Sequence, residues 1–99
     1  MPKVSICIPS YNQTYFLKKN LISILNQTFT DFEVIITDDS TNTEVKDLID
    51  EFNFNGKLKY YHNESPLGAP RNWNYCISKA SGEYIKIMHH DDWFSNDFS

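Results

Sequence analysis

With 99 residues the chain amounts to one small domain or to part of a larger one, since domains commonly run to about 100–150 residues. A hydrophobic content of 40%, with 15% aromatics, supplies a packed core and excludes an intrinsically disordered polymer. Nine Lys and Arg against 13 Asp and Glu give a net charge of −4 with no basic stripe, which excludes a nucleic-acid backbone as partner but not a small anion held with a metal.

Residues 4–8 (VSICI) form a run rich in β-branched side chains, stopped by Pro9, and predict a buried strand. Leu17, Leu21, Ile24, Leu25 and Thr28 then recur at three- and four-residue steps, the signature of one face of a helix over residues 14–27. Residues 32–37 (FEVIIT) predict a second strand. Val45, Leu48, Ile49 and Phe52 restart the helical spacing, with Asn42 or Thr41 as cap and Asn55-Gly56 as terminator. A third strand is expected over residues 58–61. Pro70 suits the first turn of a third helix, whose buried stripe would be Trp73, Cys76 or Ile77, and Ala80, with Gly82 just past its end. Residues 83–88 predict a fourth strand.

This order predicts an α/β fold, a Rossmann-like parallel sheet of about four strands with flanking helices and right-handed crossovers. Ligands of such sheets sit outside the carboxyl ends of the strands. Three polar clusters are expected there: Pro9-Ser10-Tyr11-Asn12, Asp38-Asp39-Ser40 and His89-His90-Asp91-Asp92. Arg71 joins them from the start of the third helix, where free amides favour an anion.

Adjacent carboxylates at a strand end are hard oxygen ligands suited to Mg²⁺ or Mn²⁺ carrying a diphosphate, although Asp91 and Asp92 could equally begin a turn and cap a helix. The Asp38-Asp39 pair on another strand favours the ligand reading. Successive side chains of a strand point to opposite faces, so His89 and His90 cannot both aim at one ion. Packing is the simpler role for His89, while His90 stays open between packing and ligation. No third partner for a zinc site stands at familiar spacing. Tyr11 could carry a flat heterocycle, Asp39 could accept from a ring N–H of such a base, and Arg71 could neutralise phosphates. Trp73 and Trp93 read as core or lid residues.

Cys7 and Cys76 read as core thiols, too few and too separated for a disulfide framework. The start Met1-Pro2-Lys3 leads into a strand with no apolar signal segment, and no stretch approaches the roughly 18 apolar residues of a membrane span. The cytoplasm is therefore expected. The Asn-x-Ser/Thr triplets at Asn12, Asn26 and Asn63 then read as chance matches.

The segments VSICIPSYNQTYFLKKNLISILNQTFTDFEVIITDDS and ESPLGAPRNWNYCISKASGEYIKIMHHDDW resemble, over nearly the whole chain, the amino-terminal half of family-2-type inverting glycosyltransferases of the GT-A fold. The resemblance implies binding of a nucleotide-diphosphate sugar, commonly uridine-linked, with Mg²⁺ or Mn²⁺. By position, Pro9, Ser10 and Tyr11 would line the base and ribose pocket, Asp39 would meet the uracil edge and Arg71 would approach the nucleotide. Asp91 would stand near ribose or metal-bound water and Asp92 on the metal, as a D-x-D-like motif. Many relatives carry Asp-x-Asp-Asp here, whereas His89 takes the first acidic position in this chain. The resemblance also implies a role in polysaccharide biosynthesis, a saccharide or lipid-linked acceptor, and a full-length protein compatible with a peripheral place at the inner face of the membrane.

An inverting transfer needs a general base, and no residue of this sequence is assigned to it. Residues 1–99 are therefore expected to form the donor-binding part of a glycosyltransferase, with base and acceptor site beyond Ser99, inactive alone. Two other functions compete: a non-catalytic nucleotide or metal-binding module, and a sugar nucleotidyltransferase. The latter would want a Gly-rich phosphate loop after the first strand, where PSYNQT has no glycine. A phospho-acceptor receiver would place acidic residues where this chain has Ser10-Tyr11 and His62.

Overall fold

The computed structural model describes residues 3–11, 14–65 and 67–88. Strand β1 (Val4–Ser10), helix α1 (Tyr15–Asn26), β2 (Phe32–Asp38), α2 (Glu44–Ile49), β3 (Leu58–His62), α3 (Ala69–Ser78) and β4 (Tyr84–Ile87) follow in the expected alternation. The four strands make one sheet in the order β3-β2-β1-β4, and each pairing is parallel. The α/β sheet with flanking helices is thus the predicted one. No helix among the described residues is long and apolar enough to cross a membrane.

Because neighbouring side chains of a strand point oppositely, the two central strands feed two cores. Val4, Ile6 and Ile8 of β1 and Phe32, Val34 and Ile36 of β2 meet Leu17, Leu21 and Ile24 of α1 and Val45, Leu48 and Ile49 of α2. On the opposite face lies a smaller cluster of Cys7, Ile35 and Cys76, flanked by Tyr61, Ile77, Ala80 and Ile87. Both cysteines are free and buried, as expected of core thiols.

Several local expectations need correction. Pro9 does not end β1, which runs on to Ser10. Cys7 directs its carbonyl toward β4, accepting from Met88 N–H at 2.8 Å, and Pro9 shares that direction. The last β1–β4 register pair is Cys7 with Ile87, so the missing proline N–H falls beyond that ladder and the bonds to β2 continue. Leu25 is exposed, and so is Thr28, leaving Leu17, Leu21 and Ile24 to carry the apolar face of α1.

Helix α2 stops at Ile49, short of Phe52, and the reversal before β3 uses Asn55 and Gly56 at φ 56° and 83°. The Asn42 side chain accepts from Glu44 N–H at 3.0 Å, with Thr43 rather than Asn42 or Thr41 in the cap position. Trp73 is not part of the buried stripe of α3. It is 38% exposed, whereas Asn72 is 3% exposed and faces the sheet beside Cys76. Asn72 lies inward because β2 offers it hydrogen bonds: its Nδ2 donates to Thr37 O at 3.1 Å, and Thr37 Oγ1 donates to its carbonyl at 3.3 Å.

Candidate functional site

The carboxyl ends of β1 and β2 finish together, with Ser10 in register with Asp38 and Asp39 N–H donating to Ser10 O at 2.8 Å. Ser10 is buried, and Tyr11, one residue further, turns its ring outward at 57% exposure. Pro9, Ser10, Tyr11 and Asp39 therefore share one rim.

The two neighbouring aspartates do different work. Asp38 is fully buried, accepting from Tyr60 Oη at 2.5 Å on Oδ2 and from Ser40 N–H at 2.8 Å on Oδ1. Burial, reinforced by this bond to Asp38, holds the Tyr60 phenol well above its ordinary range. His62 braces the same turn through Nε2, 3.0 Å from Ser40 O. Each Asp38 oxygen thus carries a bond that folds the β2 exit, and the side chain is closed off from solvent. This alters the expectation that the pair acts as a joint ligand set.

Asp39 faces the other side of the strand and gathers the loop that leads into α3. Its Oδ1 accepts from Asn63 Nδ2 at 2.6 Å and Leu67 N–H at 3.0 Å, and its Oδ2 accepts from Gly68 N–H at 3.0 Å. Gly68 is the residue before α3 and holds φ at 85°, a left-handed conformation natural to glycine. Through this clasp Asp39 sets the start of the helix whose first turn carries Arg71, an exposed residue. A charge-assisted bond from a backbone N–H to a carboxylate is among the stronger ones, so this junction is stiff.

Strand β4 reaches the same edge beside β1, and Met88, one residue past it and the last described before residue 89, donates its N–H to Cys7 O. His89, His90, Asp91 and Asp92 follow it in sequence and fall outside the described residues, as does Trp93. Among the described residues no group of three or more His, Cys, Asp or Glu converges to hold a metal.

The pattern reading missed Asn63 and Asn72. Asn63 stood out only as the first residue of an Asn-x-Ser triplet, yet its amide bridges Asp39 and Asn72 Oδ1, the latter at 3.1 Å. The available signal was an asparagine two residues past the predicted strand end at Tyr61, where its side chain is suited to tying loops.

Known proteins share this architecture and sequence. The family model described as glycosyl transferase family 2 matches residues 5–99. A GalNAc(5)-diNAcBac-PP-undecaprenol β-1,3-glucosyltransferase of Campylobacter jejuni is 33% identical over 94 residues, 93% of this chain and 30% of that protein. The S. aureus TarS fragment 1–349, crystallised in complex with UDP, is 28% identical with a TM-score of 0.84, covering 96% of this chain and 29% of that one. The mannosyltransferase PcManGT of Pyrobaculum calidifontis, in complex with GDP-Man and Mn²⁺, has a TM-score of 0.81 at 22% identity over 97% of this chain and 30% of its own, a likeness of fold. The chain thus spans about 30% of the length of these relatives. It belongs to glycosyl transferase family 2.

Proposed function

We propose that this chain forms the donor side of a glycosyltransferase and binds a nucleoside-diphosphate sugar, uridine-linked, at the carboxyl rim of its sheet. The observation that carries the reading is the Asp39 clasp: this one buried residue joins the end of β1, through its backbone N–H on Ser10 O, to the start of α3, through its carboxylate on Leu67 and Gly68 N–H. Family membership and the likeness to TarS, whose crystals hold UDP, support the same ligand class.

In this reading Pro9, Ser10 and the exposed Tyr11 ring line the base and ribose, Asp39 accepts from the base edge and Arg71 faces the phosphates. Asp91 serves ribose or metal-bound water, and Asp92 holds Mg²⁺ or Mn²⁺, for which carboxylates are fitting donors. A divalent cation bound there would offset the negative charge that builds on the departing diphosphate. The Arg71 guanidinium, planar and permanently charged, contributes in the same sense. Transfer is inverting, to a saccharide or lipid-linked acceptor, and none of the residues assigned here serves as its general base. The role assigned to these residues is accordingly donor binding.

Calorimetric titration of UDP with and without Mn²⁺ tests the proposal. Saturable, Mn²⁺-strengthened binding is expected for the wild-type chain, and Asp92→Ala should abolish the Mn²⁺-dependent part. Unchanged affinity in that variant refutes the metal assignment, and the absence of any nucleotide binding refutes the reading as a whole.

A further inference from the structure

Asp39 offers an incoming base fewer acceptor positions than a free carboxylate does. A carboxylate has about four lone-pair lobes, two on each oxygen. On Oδ1 both are taken, by Asn63 Nδ2 at 2.6 Å and by Leu67 N–H at 3.0 Å. On Oδ2 one is taken, by Gly68 N–H, and no other donor among the described residues reaches it. Counting donors among the described residues, a single acceptor lobe remains, on a residue only 4% exposed.

Asn63 is held where it stands. Its backbone N–H donates to Asp38 O at 2.9 Å, while its side-chain amide donates to Asn72 Oδ1 as well as to Asp39. Asn72 is in turn moored to Thr37 of β2 by two hydrogen bonds. The amide therefore cannot leave Oδ1 without breaking a chain of bonds anchored in the sheet.

We infer that Asn63 sets base specificity: by occupying Asp39 Oδ1 it limits this carboxylate to one N–H donor, which favours uracil over guanine. The inference rests on the proposed role of Asp39 at the base edge. Uracil presents one ring N–H between two carbonyls and matches a single lobe. Guanine presents two parallel N–H groups, which pair with a carboxylate only when both oxygens are free, and here its second donor stays unpaired. A buried unpaired donor weakens binding by roughly ten- to a hundredfold.

The test is calorimetric titration of UDP and of GDP, each with Mn²⁺, into the wild-type chain, Asn63→Ala and Asn63→Ser. The wild type should bind UDP roughly tenfold or more tighter than GDP, and Asn63→Ala should narrow that ratio by roughly tenfold, chiefly by tightening GDP. Asn63→Ser, which keeps a donor, should recover part of the preference. A bracing role alone would weaken both nucleotides together, so an unchanged ratio overturns the inference, as does a wild type with no preference. Should thermal denaturation show that Asn63→Ala does not fold, Asn72→Ser carries the test with the same expectation, since it unmoors the Asn63 amide without touching Asp39. If the wild type binds neither nucleotide, the functional reading falls and this inference falls with it.

Discussion

Glu33 in β2 is a buried carboxylate far from the proposed donor site, and replacing it with Gln isolates what its charge contributes. Its Oε2 accepts from Ser5 Oγ at 2.5 Å, Ser81 N–H at 2.7 Å and Ser81 Oγ at 2.8 Å, and its Oε1 faces Lys59 Nζ at 3.2 Å. Burial by itself raises this carboxyl, but the bonds from Ser5, Ser81 and Lys59 prevail and hold it at about 2, below the ordinary 4.5. The displacement corresponds to at most about 3 kcal/mol of native stability at neutral pH. Because the folded carboxyl is the stronger acid, that contribution is complete above pH 4.5 and is lost as the pH falls through about 2. Glu33→Gln keeps the shape and can turn its oxygen to the serines, but turns charge-assisted bonds into neutral ones of about half the strength. Urea denaturation of both proteins should show a gap of about 2–3 kcal/mol at pH 7, closing as the pH is lowered toward 2. A gap that stays constant across that window, or no gap at neutral pH, refutes the reasoning.

Gly82 packs against the same network, where an added Cβ would meet Ser5 Oγ at 2.7 Å, Ser5 N at 2.8 Å and Val4 C at 2.9 Å. Two of these atoms are backbone and cannot swing aside, so Gly82→Ala should cost about 1–3 kcal/mol by urea denaturation, and a neutral result would contradict the packing described. Cys7 and Cys76 are both wholly buried, and the neighbouring Cys76 thiol and then burial hold Cys7 above the ordinary thiol range. A water-soluble disulfide reagent at pH 8 should therefore label neither in the native chain and both after unfolding. Rapid labelling of the folded protein would argue against that burial.

The fold was legible because its two periodicities are clean. Alternation in VSICI and FEVIIT, and three- and four-residue spacing at Leu17, Leu21 and Ile24, name the layers without tertiary information. What escaped were positions where a polar bond outweighs hydropathy. Asn72 points inward and Trp73 outward because Thr37 and Asn63 offer Asn72 partners that no sequence window shows. The candidate rim was legible in the same measure: Ser10, Tyr11 and Asp39 follow from strand ends, and Arg71 from a helix start. The division of labour between Asp38 and Asp39 was not. Adjacent identical side chains leave a strand on opposite faces, and only tertiary partners decide which one Tyr60 and Ser40 consume.

The same alternation explains how α3, and with it Arg71, is held. Residues 33, 35 and 37 of β2, continued by Asp39 just past its end, form one row beneath this helix, and each supplies a hydrogen bond to it or to its flanking loops. Glu33 accepts from Ser81 beyond the carboxyl end, Ile35 O from Cys76 Sγ at 3.2 Å, Thr37 exchanges bonds with Asn72, and Asp39 accepts from Leu67 and Gly68 at the amino end. The opposite face relies on a much larger apolar cluster, whereas the buried core on this side is Cys7, Ile35 and Cys76. Apolar contact is non-directional and tolerates sliding, but a row of hydrogen bonds has a register. Helix α3 is thereby set along the strand axis, so the proposed phosphate-facing arginine takes its position from the same strand that leads into the proposed base-facing carboxylate.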